Sequence, residues 1–323
     1  MTEIVAIDIG GTHARFALAE VSGGRVVSLG EPVTLKTSEH ASFQTAWEDF
    51  ATQVGRPMPR AAAIAIACPV GGEVLKLTNN PWIIRPAMIL EKLGVDRYSL
   101  VNDFNAVGHA VGQLDARHFS HLCGPDLALP GVGTISVVGP GTGLGVAHVL
   151  RVNDDYHVNP TEGGHIDFAP LDALEDAILA RLRGRYRRVS VERVVAGPGL
   201  REIYEALAAI EGRAVQSFDD KTLWTLALSG DDSLATAAVE RFCMTLGSVA
   251  GDIALAQGAS AVVIAGGLGQ RIATTLTRSE FAGRFAAKGR FEAMMAAMPV
   301  KLITHPQPGL FGAAAAFAQE HNQ

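Results

Sequence analysis

Two carboxylates stand near the ends of apolar runs, where an acidic side chain can act on a ligand. Asp8 lies in Ile4-Val5-Ala6-Ile7-Asp8-Ile9, just before Gly10-Gly11-Thr12; Asp103 follows the run at 98–101 and precedes Phe104-Asn105-Ala106-Val107. In α/β sheets the ligand crevice lies outside the carboxyl ends of the strands. A carboxylate fixed there can accept the proton of a substrate hydroxyl, as phosphoryl transfer to an alcohol requires. Asn102 and Asp103 are also residue types preferred at helix N-caps, so a base and a structural cap both remain open.

Further polar groups cluster at bends. Thr161-Glu162-Gly163-Gly164-His165-Ile166-Asp167 brings three ligand-capable side chains to a Gly-rich segment. With strand geometry after the glycines, His165 and Asp167 would share a face and could bind a metal. The same residues suit hydrogen bonding to vicinal hydroxyls of a sugar, or a tight turn with a structural histidine. Thr78-Asn79-Asn80-Pro81-Trp82 sets amide and hydroxyl groups beside an indole, which fits sugar recognition and equally a turn. Glu192, two residues after Ser190, reads as an early-turn acid with Ser190 as its N-cap.

Glycine turns recur in the two halves of the chain. Gly10-Gly11-Thr12 and Gly139-Pro140-Gly141-Thr142-Gly143 each follow an apolar strand and precede a second strand-like run. Bare N–H groups in such turns form concave nests suited to phosphate oxygens, so the pair could grip one polyphosphate from two sides. No lysine directly follows a glycine, which removes the Walker pattern, and Leu144 or Val146 stands where a dinucleotide fingerprint needs its last glycine. A third glycine pair, Gly266-Gly267, follows the apolar run at 261–265.

These residues need elements to hold them. Alternating strand and helix signals predict a hairpin to about residue 27, a helix over 43–54, and strands at 61–67 and 98–101. The Pro- and Gly-rich stretch 124–133 is a candidate connection between halves. Beyond it come the second hairpin, a loop at 159–164, a long helix over 231–256, strands at 261–265 and 300–303, and an alanine-rich helix opened by Gly309. The fold class expected is α/β: a small domain of residues 1–110 plus 301–323 and a larger one of 111–300, flanking a cleft that can open and close.

Composition narrows the function classes. The 323 residues are 48% hydrophobic and 19% charged, with a formal net charge of -6. The basic run at 181–188 follows an amphipathic stretch and reads as a solvated helix end, so nucleic acid is not expected as a partner. Cys68, Cys123 and Cys243 are scattered, which suggests reduced thiols, neither a disulfide framework nor a zinc site, and a cytoplasmic location. No apolar run approaches the roughly 18 residues of a membrane span.

Taken in order, Asp8-Ile9-Gly10-Gly11-Thr12, Leu77-Thr78-Asn79-Asn80, Val101-Asn102-Asp103, Gly139 to Gly143, Glu162-Gly163-Gly164-His165, Ser190 to Val194, Val262 to Gly267 and Pro308-Gly309-Leu310 resemble the bacterial glucokinases. The resemblance covers nearly the whole chain and implies two actin-like, ribonuclease H-like domains. It implies that Gly10, Gly11, Thr12, Gly139, Gly141, Thr142 and Gly143 hold the phosphates of ATP, that Gly266 and Gly267 pass close to the adenosine, and that Asp8 faces Mg²⁺ through water. It further implies that Thr78, Asn79, Asn102, Asp103, Gly141, Glu162, His165 and Glu192 bind glucose, with Asp103 as base toward the 6-hydroxyl, in a homodimer. The related ROK kinases carry a cysteine-rich zinc motif after the Glu-x-Gly-His segment; here no cysteine follows His165 until Cys243, so no zinc is expected. Mannose, glucosamine or fructose as substrate remains open. A sugar-sensing regulator would need a DNA-binding helix-turn-helix, for which no segment precedes the first strand.

Overall fold

The computed structural model describes residues 1–153 and 155–322, which separate into two compact units: 1–115 with 158–160 and 305–322, and 116–153 with 155–157 and 161–304. The boundaries fall after 115 and after 304, because the helix Asp103–Gln113 is whole in the first unit and the strand Val300–Ile303 belongs to the second sheet.

The first unit is built on strands β1 (Thr2–Ile9), β2 (His13–Ser22), β3 (Arg25–Leu29), β4 (Val33–Lys36), β5 (Ala61–Ile66), the short pair β6 (Leu75–Lys76) and β7 (Ile83–Ile84), and β8 (Arg97–Asn102). The main sheet runs β3-β2-β1-β5-β8 with β4 on β2; β1 is antiparallel to β2 and parallel to β5, which is parallel to β8. Strand alternation explains its two faces. Val5, Ile7 and Ile9 pack with Phe43, Trp47 and Phe50 of the helix Phe43–Val54, whose Ser42 forms a capping box with Thr45. Ile4, Ala6, Ala63 and Ala65 meet Ala106 and the terminal helix Pro308–Glu320 through Leu310, Ala313, Ala314 and Phe317. Alanine against alanine lets that helix lie close to the sheet, and Asp8 is next in the period of Ile4 and Ala6.

The second unit repeats the plan with β9 (Phe119–Cys123), β10 (Gly133–Pro140), β11 (Leu144–Val152), β12 (Asp155–Thr161), β13 (Ala259–Ile264) and β14 (Val300–Ile303) in the order β12-β11-β10-β13-β14-β9. Again an antiparallel hairpin, β10 with β11, adjoins parallel strands, β13 and β14. Asp232 caps the long helix Ser233–Gln257 by accepting from Ala235 N–H at 2.7 Å. Glu175, 1% exposed, ties three helices: its carboxylate accepts from Arg284 at 2.7 Å, Arg241 at 3.3 Å and Thr245 at 3.1 Å.

Two local expectations change. The stretch 124–132 lies inside the second unit, since β9 precedes it in the same sheet. The expected loop at 159–164 begins as the end of β12. The basic run keeps its expected place: Arg181 and Arg183 close the helix Ala173–Arg183, and Arg183, Arg185, Arg187 and Arg188 are exposed, with Arg185 paired to Glu202 at 2.6 Å and to Glu205. Among the described residues no helix is long and apolar enough to cross a membrane.

Candidate active site

In the first unit the site begins where β1 turns into β2. Gly10 N–H donates to His13 O at 2.9 Å, closing the turn, and the buried Thr37 hydroxyl donates to Gly11 O at 3.0 Å. A second brace is Asn80: its Nδ2 donates to Gly10 O at 2.9 Å, while its Oδ1 accepts from Trp82 N–H at 2.9 Å. Asn79 takes a left-handed φ of 60°, and a Cβ on Gly11 would stand 2.9 Å from Thr78 O, so this loop presses on the turn with its backbone. Thr78, Asn79 and Thr12 are exposed.

The two acids of this unit have distinct surroundings. Asp8 is half-buried with Arg15 Nη1 at 3.5 Å; burial raises its carboxyl above the ordinary range, and the Arg15 charge pulls against that. At the end of β8, Asn102 is the N-cap, its Oδ1 accepting from Phe104 N–H at 2.9 Å and its Nδ2 donating to Cys68 O at 3.3 Å. Asp103 is therefore the first helical residue. One of its oxygens also accepts from Phe104 N–H, at 2.8 Å. Burial pushes the Asp103 carboxyl up to about 6; the hydrogen bond from Phe104 pulls down and the Asp8 charge pushes up. The cap of this helix is thus Asn102, and Asp103, the candidate base, is its first residue.

In the second unit the turn between β10 and β11 is held mostly by backbone. Gly141 N–H donates to Gly143 O at 2.8 Å, and Gly197 N–H donates to Gly141 O at 2.7 Å. Gly266 has φ 80°, and a Cβ there would meet Pro140 O at 2.6 Å, so only glycine lets this segment cross the turn so closely; Gly267 faces open space. Gly139 is buried within β10, while Thr142 is exposed at the tip.

Its neighbours mark Glu192 only as an early-turn acid and the family resemblance alone gives it a sugar, yet its Oε2 accepts from Leu144 N–H at 2.8 Å and lies where a Cβ on Gly143 would come within 2.5 Å. The structure brings it onto the second turn. Ser190 is not a cap; it bridges to Asp167, and Val191 precedes the short helix Glu192–Val195 without a side-chain cap.

Gly163–His165 is a single 3₁₀ turn, not a strand, so the shared face expected for His165 and Asp167 does not form. His165 instead stands 3.9 Å from Glu162, both well exposed, and Asp167 pairs with Arg188 at 2.6 Å. A Cβ on Gly164 would run into Leu144 O, which fixes this turn against the start of β11. Among the described residues no group of three or more His, Cys, Asp or Glu side chains could hold a metal ion.

The sequence matches the family model described as Glucokinase over residues 5–320. A glucokinase of Zymomonas mobilis is 64% identical over 321 residues, covering 99% of each chain. The crystal structure of a glucokinase from an Antarctic psychrotroph superposes with a TM-score of 0.86 at 32% identity, covering 98% of both chains. A ROK family glucokinase from Streptomyces griseus, solved in complex with glucose and AMPPNP, shares the fold with a TM-score of 0.63 at 18% identity and coverage of 98% and 99%. The fold is that of glucokinases and sugar kinases of the actin-like ATPase type.

Proposed function

Because this chain belongs to the Glucokinase family, we propose that it transfers the γ-phosphoryl group of ATP to the 6-hydroxyl of glucose, giving glucose 6-phosphate and ADP. The observation that carries the reading is Asp103: a half-buried carboxyl, raised to about 6, at the carboxyl end of a parallel strand. Such a group is mostly ionised at neutral pH and basic enough to take a hydroxyl proton as the oxygen attacks phosphorus. Its second oxygen is the one left for that proton, since the first is shared with Phe104 N–H.

The glycine turns supply N–H groups for phosphate oxygens, the Gly10–Thr12 turn from the first unit and the Gly139–Gly143 turn from the second. Gly266 and Gly267 line the adenosine. Thr78, Asn79, Asn102, Gly141, Glu162, His165 and Glu192 contact the sugar; the carboxylates of Glu162 and Glu192 accept from its hydroxyls. Asp8 is the residue that would hold Mg²⁺, through water. A half-buried carboxylate beside a phosphate turn, with Arg15 at 3.5 Å, fits an ion that keeps its waters and takes its direct ligands from phosphates. When bound, that ion neutralises charge on the transferring group. The same reading, by family resemblance, extends to a cytoplasmic homodimer. It supports ATP further that the Streptomyces griseus relative was solved with an ATP analogue and glucose.

Purified protein given a panel of hexoses and ATP should release ADP fastest with glucose. Faster turnover of mannose, glucosamine or fructose would move the substrate assignment, and binding of glucose with no ADP release would make the chain a sugar sensor.

A further inference from the structure

The terminal helix Pro308–Glu320 approaches the first sheet through two glycines that differ in what they face. Gly312 meets backbone: a Cβ there would run into Ala106 O, in the helix that Asp103 opens. Gly309 meets a side chain. A Cβ on it would stand 2.8 Å from Oδ2, 2.9 Å from Cγ and 3.3 Å from Oδ1 of Asp8, and no other group lies among its nearest neighbours.

Backbone conformation does not demand this glycine, because Gly309 is not among the residues with positive φ. Glycine inside a helix weakens it relative to alanine, so its presence in the first turn needs another cause. Clearance for the Asp8 carboxylate is that cause. The helix end also suits an anion: Gln307 gives no side-chain cap, and Phe311 N–H, bonded to Gln307 O at 3.0 Å, marks where the intrahelical ladder begins, so the amides ahead of it form the positive end of the helix dipole. Arg15, at 3.5 Å, is a loose partner that does not by itself fix the carboxylate.

We propose that Gly309 is a positioning residue for Asp8: by presenting no side chain, it lets the first helical turn stand against the carboxylate and fixes its direction beside the Gly10–Thr12 turn. The inference rests on the kinase reading, in which Asp8 serves Mg²⁺ and phosphate. An alanine methyl would push the carboxylate off its present position while leaving the sugar-binding side chains untouched.

The test is a double-mutant cycle of Gly309→Ala and Asp8→Ala, read by steady-state kinetics and by the rise in melting temperature that ADP with Mg²⁺ gives over ADP alone. Gly309→Ala should melt no lower than the parent protein, lose about 10²-fold in kcat and keep its KM for glucose. It should also lose the Mg²⁺-dependent increment in melting temperature. In the Asp8→Ala background the same change should cost at most about twofold, because the clash has no partner left. An unchanged kcat, a drop in melting temperature without nucleotide, or an equal loss in both backgrounds overturns the proposal. The melting increment needs no sugar, so it decides the role of Gly309 even if the parent protein fails to phosphorylate glucose.

Discussion

The two glycine turns occupy the same place in the two sheets, between an antiparallel strand pair that adjoins parallel strands, yet they are held by different means. Around the Gly10–Thr12 turn the braces are side chains, Asn80 and Thr37, and a carboxylate, Asp8, stands just before it. Around the Gly139–Gly143 turn the braces are the Gly197 amide, the close crossing of Gly266 and the Glu192 carboxylate, and Gly139, paired with Gly145 one step before the last pair of the hairpin, stands where Asp8 stands in the first. On the proposed kinase reading the difference is a division of labour: the first unit carries the acid–base chemistry, and the second offers a backbone cradle.

The largest expected effect tests the acid side of that division. Asp103→Asn should lower kcat by roughly 10²- to 10⁴-fold while glucose still binds, and near-normal formation of glucose 6-phosphate would remove Asp103 as the base. In the parent enzyme kcat/KM should fall as pH drops through about 6, where the carboxyl takes up its proton. Stability should move the other way. An acid whose folded pKa is raised, here from 3.8 to about 6, costs stability once ionised, so the cost is full above about pH 6 and absent below about 4. Asp103→Asn should therefore melt above the parent protein at pH 8, and the gap should close by pH 4.

What could be read from the sequence, and what could not, follows from how far apart the partners lie. The strands, the glycine turns and the Asn102-Asp103 pair were legible because each is written in neighbouring residues: alternation, a turn signal, a cap beside a helix start. Glu192 on Leu144 N–H and Asn80 on Gly10 O join residues 48 and 70 positions apart, and Gly309 against Asp8 spans almost the whole chain. No local period announces such contacts. Ser190 shows the opposite error, a local preference for the cap position overridden by its bridge to Asp167.

A middle-sized effect probes the second turn. Glu192→Gln keeps an oxygen for Leu144 N–H but loses the charge that a sugar hydroxyl would meet. Exchanging a charge-assisted hydrogen bond for a neutral one costs about 1 kcal/mol, so KM for glucose should rise roughly fivefold with kcat and KM for ATP little changed. A collapse of kcat to the level of Asp103→Asn would show that the second turn takes part in the chemistry and would break the division.

The smallest effect sharpens the contrast in bracing. Asn80→Ala removes a donor to Gly10 O and an acceptor from Trp82 N–H, worth about 1–2 kcal/mol together, so the melting temperature should fall by a few degrees and KM for ATP should rise modestly. Asn80→Asp should be worse than alanine although it is closer in shape. Aspartate still accepts from Trp82 N–H but has no donor, so it sets a negative oxygen against the Gly10 carbonyl. The second turn offers no equivalent side-chain lesion at Gly141, because its carbonyl is satisfied by the Gly197 amide and only proline, which also fixes φ, removes a backbone N–H. If Asn80→Asp proves milder than Asn80→Ala, the side-chain brace is not what holds the first turn, and the two turns are held alike.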